Sequence, residues 1–290
     1  MCTTCGCSTH KARIFGVPDT SHRRTETRLN YRPIPSQPVQ EPEAITLPAT
    51  HASGMNAKRI LRIERDILTL NDAQARQNRD FFSKQRILVL NLLSSPGSGK
   101  TTLLVKTIKT LRNKLPIAVI EGDQQTDRDA ARIRATGVPV IQINTGKGCH
   151  LDAHMVNRAI ERLPLQDGGL LFIENVGNLV CPASFDLGET HKVVMLSVTE
   201  GEDKPLKYPD MFQVADLLLL NKCDLLPYVD FNTNQAVQYA HRIHPGLPVI
   251  SLSATLGDGM ATWLHWIETA RQAAAVESVS DTSNTVLQLG

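Results

Sequence analysis

The sequence predicts an α/β fold: a mostly parallel sheet flanked by helices, with an N-terminal extension. Three observations predict it. Seven short apolar runs, at 87–93, 117–121, 139–143, 169–174, 193–198, 217–221 and 248–252, alternate with helix-length segments from about Arg86 to Ala270. The runs are continuous rather than alternating, as in Leu217-Leu218-Leu219-Leu220, which suits strands covered on both faces. The chemistry-bearing motifs of this region fall at the ends of such runs, where open parallel sheets place their ligands. A chain of 290 residues accommodates one domain of this size with appendages.

The first appendage is a thiol cluster, Met1-Cys2-Thr3-Thr4-Cys5-Gly6-Cys7. Three thiols within six residues can wrap one soft metal ion, with the terminal amine close enough to fill a fourth position. A planar N/S set suits Ni²⁺ and a tetrahedral one Zn²⁺. The alternative is a pair of exposed redox-active thiols. Residues 8–54 carry Pro18, Pro33, Pro35, Pro38, Pro42 and Pro48 with few large apolar groups, and read as a flexible linker. From 55 to 84 an amphipathic helix is expected, with Ile60, Ile63, Ile67 and Leu70 as its apolar stripe and the sheet domain as its packing partner.

The sheet domain, 85–274, opens with the run 87–93 followed by Ser94-Ser95-Pro96-Gly97-Ser98-Gly99-Lys100-Thr101-Thr102 and a helix. Strand, glycine-rich loop and helix is the setting of a phosphate-binding loop, and places the fold among P-loop NTPases. Gly97 and Gly99 let N–H groups converge on a phosphate, together with Ser98 and Thr102. Lys100 would reach the terminal phosphates and Thr101 would hold Mg²⁺. Ser94 departs from the strict pattern, which has glycine there.

The next strand ends in Glu121-Gly122-Asp123, which makes Asp123, Asp127 and Asp129 candidates for the Mg²⁺ shell or for orienting the attacking water. For Asp127 a solvated acidic loop is the favoured reading. Leu170-Leu171-Phe172-Ile173-Glu174-Asn175-Val176-Gly177 is a strand that ends in an acid with glycine three residues on, a candidate sensor of Mg²⁺ and the γ-phosphate through Glu174. Asn221-Lys222-Cys223-Asp224 turns the nucleotide site into a guanine site. The Asp224 carboxylate accepts from N1–H and the N2 amine of guanine, and adenine offers neither; a site of this kind rejects the wrong partner by about 10⁴. Lys222 can lay its stem along the base, Asn221 can brace neighbouring loops, and Ser253-Ala254-Thr255 supplies backbone N–H to the guanine carbonyl. Cys149, His150 and Cys181 form a second candidate metal site for Zn²⁺ or Ni²⁺, with unrelated buried thiols as the alternative. Three ligands per chain are few for a closed site, so two subunits could share the metal. Cys223 reads as a packing residue. Residues 275–290 are polar and read as a disordered tail.

Composition excludes several classes. The net charge of +2 gives no nucleic-acid footprint. No run is long enough to insert in a membrane and no signal-peptide core is visible, so a cytoplasmic location is expected. Without a secretory signal, the six cysteines do not read as a disulfide framework.

These segments together resemble the HypB family, the GTPase accessory proteins of nickel insertion into [NiFe]-hydrogenase. The resemblance is carried by Cys2-x-x-Cys5-x-Cys7, Ser94–Thr102, Glu121–Thr126, Lys147–Asp152, Glu174–Pro182 and Asn221–Asp224, and spans the chain from Met1 to about Trp266 apart from the linker. It implies a SIMIBI-class P-loop fold and slow hydrolysis of GTP to GDP and phosphate. It also implies a homodimer formed through the nucleotide face, a zinc-binding HypA-type partner and delivery of nickel to the hydrogenase large-subunit precursor. The thiol cluster supports high-affinity nickel binding by Cys2, Cys5 and Cys7, and the Ser94 departure fits the family. A metal-storage or metal-sensing protein with a vestigial nucleotide site is the competing class, against which Lys100, Thr101, Glu174 and Asp224 argue.

Overall fold

The computed structural model describes residues 13–15, 57–124, 126–146 and 148–286, and the side chains of 65–275 within them. Cys2, Cys5, Cys7 and most of the 8–54 linker lie outside the described residues. In chain order the elements are β1 (Arg13–Phe15), α1 (Ala57–Lys84), β2 (Leu88–Ser94), α2 (Lys100–Leu111), β3 (Ile117–Asp123), α3 (Arg128–Arg134), β4 (Val140–Asn144), α4 (Ala153–Ile160), β5 (Leu170–Glu174), β6 (His191–Ser197), α5 (Lys204–Lys207), α6 (Pro209–Gln213), β7 (Leu217–Asn221), α7 (Thr233–Ile243), β8 (Val249–Ser251) and α8 (Met260–Val286). The strands form one sheet in the order β1-β4-β3-β5-β2-β6-β7-β8. Every pairing is parallel except that of β1 with β4.

The seven parallel strands are the seven apolar runs, with ends displaced by a residue or two. Period-two alternation within them feeds two faces. Leu88, Leu90 and Leu92 pack with Leu103, Leu104, Ile108 and Trp263 under α2 and α8. Ile87 and Val89 point the other way, into the cluster with Ile120, Ile173, Phe82 and Val156 under α1 and α4. A third cluster, with Leu196, Leu218, Leu220, Met211 and Phe212, fills the space beneath α6. Trp263 is fully buried, and its indole N–H donates to Thr107 Oγ1 at 2.9 Å, so the largest side chain of the core leaves no donor unpaired.

Three sequence expectations are corrected. The linker is not irregular throughout: backbone pairing of Arg13 with Asn144 and of Phe15 with Gln142 adds a strand to the β4 edge. This covers an otherwise open row of backbone groups. The tail does not end the helix at 274, because α8 continues to Val286. The run Gln272-Ala273-Ala274-Ala275 has the highest helix propensity in that region and carries the helix past its buried stretch.

Leu70, assigned to the apolar stripe of α1, is also not on its docking face, since it is 67% exposed; the side chains of Ile60 and Ile63 lie outside the described ones. The helix docks through Asn71, Ala75, Asn78 and Phe82, which are buried at helical spacing. Asn71 Oδ1 accepts from Ala153 N, and Asn78 Nδ2 donates to the carbonyls of Ala153 and Leu187, each bond at 2.9 Å. Two asparagines thus satisfy backbone groups at the start of α4 and before β6, which apolar side chains could not do.

At that docking face Gly188 has φ +88°, and a Cβ there would lie 2.6 Å from the Ala75 carbonyl oxygen and 2.7 Å from Asn78 Cβ. Gly188→Ala is therefore expected to destabilise the fold by about 3 kcal/mol, the sum of overpacking and left-handed strain. A lowered urea midpoint checks it, with the loss of the α1 contact as its cause.

Candidate nucleotide site and metal centre

Three loops meet at the C-terminal edge of the sheet. The glycine-rich loop runs from Ser94 to α2, with Gly97 at φ +78° and Gly99 at φ +97°. A Cβ on Gly99 would lie 2.6 Å from Asn221 Nδ2, so conformation and space both demand glycine. Asn221 ties the three loops together: its Nδ2 donates to Ser98 O at 2.9 Å and its Oδ1 accepts from Ala254 N at 3.1 Å. Lys222, left-handed at φ +62°, lays its side chain across the glycine-rich loop and donates from Nζ to Gly97 O at 2.7 Å.

Asp224 follows in the 3-10 turn Cys223–Tyr228, partly exposed. Ser253 N–H donates to Asp258 O and Ala254 N–H to Asn221 Oδ1. Their amides shape the loop, and a base carbonyl would have to share the second of them. Cys223 is a packing residue: its thiol donates to Leu220 O at 3.2 Å and its pKa is raised by burial.

The end of β5 faces the start of α2. Thr101 Oγ1 donates to Glu174 Oε1 at 2.6 Å, both residues buried. Glu121, which the sequence reading left as part of a strand end, joins them. It is the register partner of Glu174 on the neighbouring strand β3, and the two carboxylates are 2% and 3% exposed. Burial, then the Glu174 carboxylate, then Asp123 and Asp129, push Glu121 up to about 8, while Lys100 opposes the shift. Burial likewise raises Glu174, against Lys100 and the Thr101 hydrogen bond. Ser98 Oγ, Glu121 Oε2 and Glu174 Oε2 have no hydrogen-bond partner and no solvent exposure. Each such atom costs about 1–3 kcal/mol. Hard oxygen donors beside a lysine fit Mg²⁺ together with a phosphate, which would satisfy all three. The signal that would have revealed Glu121 is an acid inside an apolar run, one step in register from a second one.

Asp123 is not brought onto this group. Its Oδ1 accepts from Gln124 N at 2.7 Å, and its Oδ2 accepts from Thr126 N and Thr126 Oγ1 at 2.9 and 2.6 Å. The carboxylate is engaged by its own loop. Asp127 is exposed at the start of α3 and makes no capping bond. Asp129 pairs with Arg132, whose other nitrogen donates to Thr102 Oγ1 at 2.9 Å.

Next to this site the structure gathers Cys149, His150 and Cys181, with ligand atoms all within 4.8 Å of one another. The two sulfurs are 2.8 Å apart and Cys149 Sγ lies 3.7 Å from His150 Nδ1. Both thiols are buried. His150 has its pKa lowered by burial, partly opposed by Asp152.

The loop that carries Cys149 and His150 is fastened to the candidate nucleotide site by the residue after Glu174. Asn175 Oδ1 accepts from Leu151 N at 3.2 Å and its Nδ2 donates to Asn91 Oδ1. Gly177 passes so close to the glycine-rich loop that a Cβ would lie 3.1 Å from Pro96. The segment 174–177 is thus wedged between the two sites.

Among the described residues no helix is long and apolar enough to cross a membrane. The sequence profile of the CobW/HypB/UreG nucleotide-binding domain matches residues 88–251. The hydrogenase maturation factor HypB of Azotobacter chroococcum mcd 1 is 58% identical over 285 residues, covering 94% of this chain and 93% of that protein. The hydrogenase maturation factor HypB of Escherichia coli K12 is 52% identical, covering 94% of this chain and all of its own length. Among solved structures, HypB from Helicobacter pylori in complex with nickel superposes with a TM-score of 0.67 at 38% identity, over 70% of this chain and 95% of that one. The hydrogenase maturation factor HypB from Archaeoglobus fulgidus gives 0.66 at 37% identity, over 70% and 99%. The chain belongs to the HypB family of hydrogenase maturation factors.

Proposed function

We propose that this chain is a GTP-hydrolysing nickel metallochaperone that helps insert nickel into the [NiFe]-hydrogenase large-subunit precursor. The observation that carries the proposal is the hydrogen bond from Leu151 N–H to Asn175 Oδ1 at 3.2 Å. It joins the residue beside His150 to the residue beside Glu174. Through this contact a change at one site is expected to reach the other.

In this reading the nucleotide phosphates lie on the N-terminus of α2, cradled by the backbone of Gly97, Ser98, Gly99 and Thr102, with the helix dipole and Lys100 holding their charge. Thr101 and Glu174 would hold Mg²⁺, with Glu121 behind them. When bound, Mg²⁺ supplies positive charge against the oxygens of the transferred phosphoryl group. Asp123, held by Gln124 and Thr126, is the candidate for the Mg²⁺ shell or for orienting the attacking water. Asn221, Lys222, Asp224 and the loop at Ser253 and Ala254 form the guanine pocket.

Nickel is cargo. Cys149, His150 and Cys181 present two thiolates and an imidazole, donors that suit Ni²⁺ or Zn²⁺. A second copy of the chain completes the coordination in a homodimer promoted by GTP or metal. Cys2, Cys5 and Cys7 form the high-affinity nickel motif at 1–7, joined through the segment 8–54 and the segment 55–84, which contains α1, to the GTPase domain. A zinc-binding HypA-type chaperone and the precursor are the partners, in the cytoplasm.

Two assays test this. Purified protein is expected to release phosphate from GTP and not from ATP; no turnover would favour a storage protein with a vestigial nucleotide site. Cys149→Ala and Cys181→Ala are each expected to abolish nickel binding by a chain lacking Cys2, Cys5 and Cys7. Retained stoichiometric binding would place the second metal elsewhere.

A further inference from the structure

The imidazole of His150 lies on the ring of Phe185, with centroids 3.9 Å apart and planes inclined by 29°. The two rings come from different segments. His150 belongs to the loop between β4 and α4. Phe185 leaves the 3-10 turn Cys181–Ser184 and donates its N–H to Pro182 O at 3.4 Å. Phe185 also packs on the core cluster that contains Phe82, Leu151 and Leu187, so its ring is held from behind.

A histidine that binds a metal usually donates its other ring N–H to a carboxylate, a carbonyl or a water, and that bond fixes the ring. Among the described residues His150 has no such partner. Its hydrogen-bonding contact is Nδ1 with Cys149 Sγ at 3.7 Å. What bears on the ring is the Phe185 face, stacked against the imidazole plane. We infer that Phe185 is the positioning residue of the metal centre: its ring holds the His150 imidazole with Nδ1 turned toward Cys149 and Cys181, so that the third donor is in place before an ion arrives. The inference rests on the assignment of Cys149, His150 and Cys181 as metal ligands.

Asn178 fixes the backbone of the same junction. Its Nδ2 donates to Cys149 O at 3.4 Å and its Oδ1 accepts from Val180 N at 2.8 Å. The two loops are therefore already joined, and what Phe185 adds is the orientation of one ring. Preorganisation of this kind raises affinity by lowering what must be ordered on binding. A leucine at 185 would fill much of the same volume and offer no flat face.

The test uses the full chain with Cys2, Cys5 and Cys7 changed to serine, titrated with Ni²⁺ and with Zn²⁺. Phe185→Leu is expected to weaken both metals by about 10-fold, the lower end of what the loss of an orienting partner costs. Phe185→Tyr is expected to bind as the parent does. In a His150→Ala background Phe185→Leu should have no further effect on affinity. At saturating nickel the thiolate-to-nickel absorption band of Phe185→Leu should match the parent's, because the imidazole still binds once ordered, whereas that of His150→Ala should shift. Unfolding midpoints and GDP affinity report the fold, and if Phe185→Leu does not fold, Phe185→Met carries the same comparison. An equal 10-fold loss with and without His150 would show that Phe185 merely supports the turn, and would overturn the inference. So would unchanged affinity in Phe185→Leu. A parent that binds neither ion overturns the ligand assignment itself, a result seen before any change at Phe185.

Discussion

Lys100→Ala is expected to lower GTP turnover by about 100- to 1,000-fold, the usual cost of removing one charged group aimed at the transferred phosphoryl. Lys100 opens α2, is buried, and holds down the raised pKa values of both Glu174 and Glu121. Its ammonium therefore opposes two carboxylates as well as the phosphates it is proposed to bind. Removing it leaves that negative charge less compensated and weakens anion binding at the helix start. Hydrogenase maturation is expected to fail with it, while nickel binding by Cys2, Cys5 and Cys7 persists. Single-turnover phosphate release and a nickel titration on the folded variant check both halves. Wild-type turnover would remove Lys100 from the catalytic group, and loss of high-affinity nickel binding would contradict the separation of the two functions.

Asp224→Asn is expected to weaken GTP by about 1–3 kcal/mol, roughly 5- to 150-fold, and to shift preference toward xanthosine triphosphate. In the proposed pocket the carboxylate would accept two hydrogen bonds from guanine. An amide turns one acceptor into a donor, which opposes the guanine amine and matches the 2-oxo group of xanthine. The local structure isolates this change. Lys222 turns the chain at φ +62° and Asn221 carries the bracing bonds to Ser98 and Ala254, so Asp224 is free of the scaffold role. Competition between the two nucleotides decides the matter, and an unchanged ratio would mean that Asp224 does not read the base.

The parallel strands and the motifs at their ends were legible because each is a local signal. A run such as Leu217–Leu220 can only be buried, and glycines at 97 and 99 before a lysine have few other uses. What was hidden depended on partners distant in sequence. Leu70 reads as a core residue on a helical wheel, but the docking face of α1 is set by Asn71 and Asn78, whose amides answer backbone groups near 153 and 187. Glu121 acquires its meaning only from strand register, which sets it beside Glu174. Asp123 looked equivalent to Glu174 as an acid at a strand end, yet its own loop supplies three donors and turns it away. Cys149, His150 and Cys181 were found from chemistry, and their joining to the nucleotide site through Asn175 needed coordinates. β1 carries no pattern of its own and is a strand because the β4 edge stands open beside it.

The central claim is that metal and nucleotide sites are coupled through the segment 174–177. A ligand that favours one state of this segment must shift the affinity of the other ligand, and the effect is reciprocal. The direct measurement is the nickel affinity of a chain lacking Cys2, Cys5 and Cys7, titrated once with GDP bound and once with a non-hydrolysable GTP analogue. The two affinities are expected to differ by at least about 5-fold, the lower end of ordinary coupling. Identical affinities in the two nucleotide states would contradict the account and leave Cys149, His150 and Cys181 as a structural zinc site.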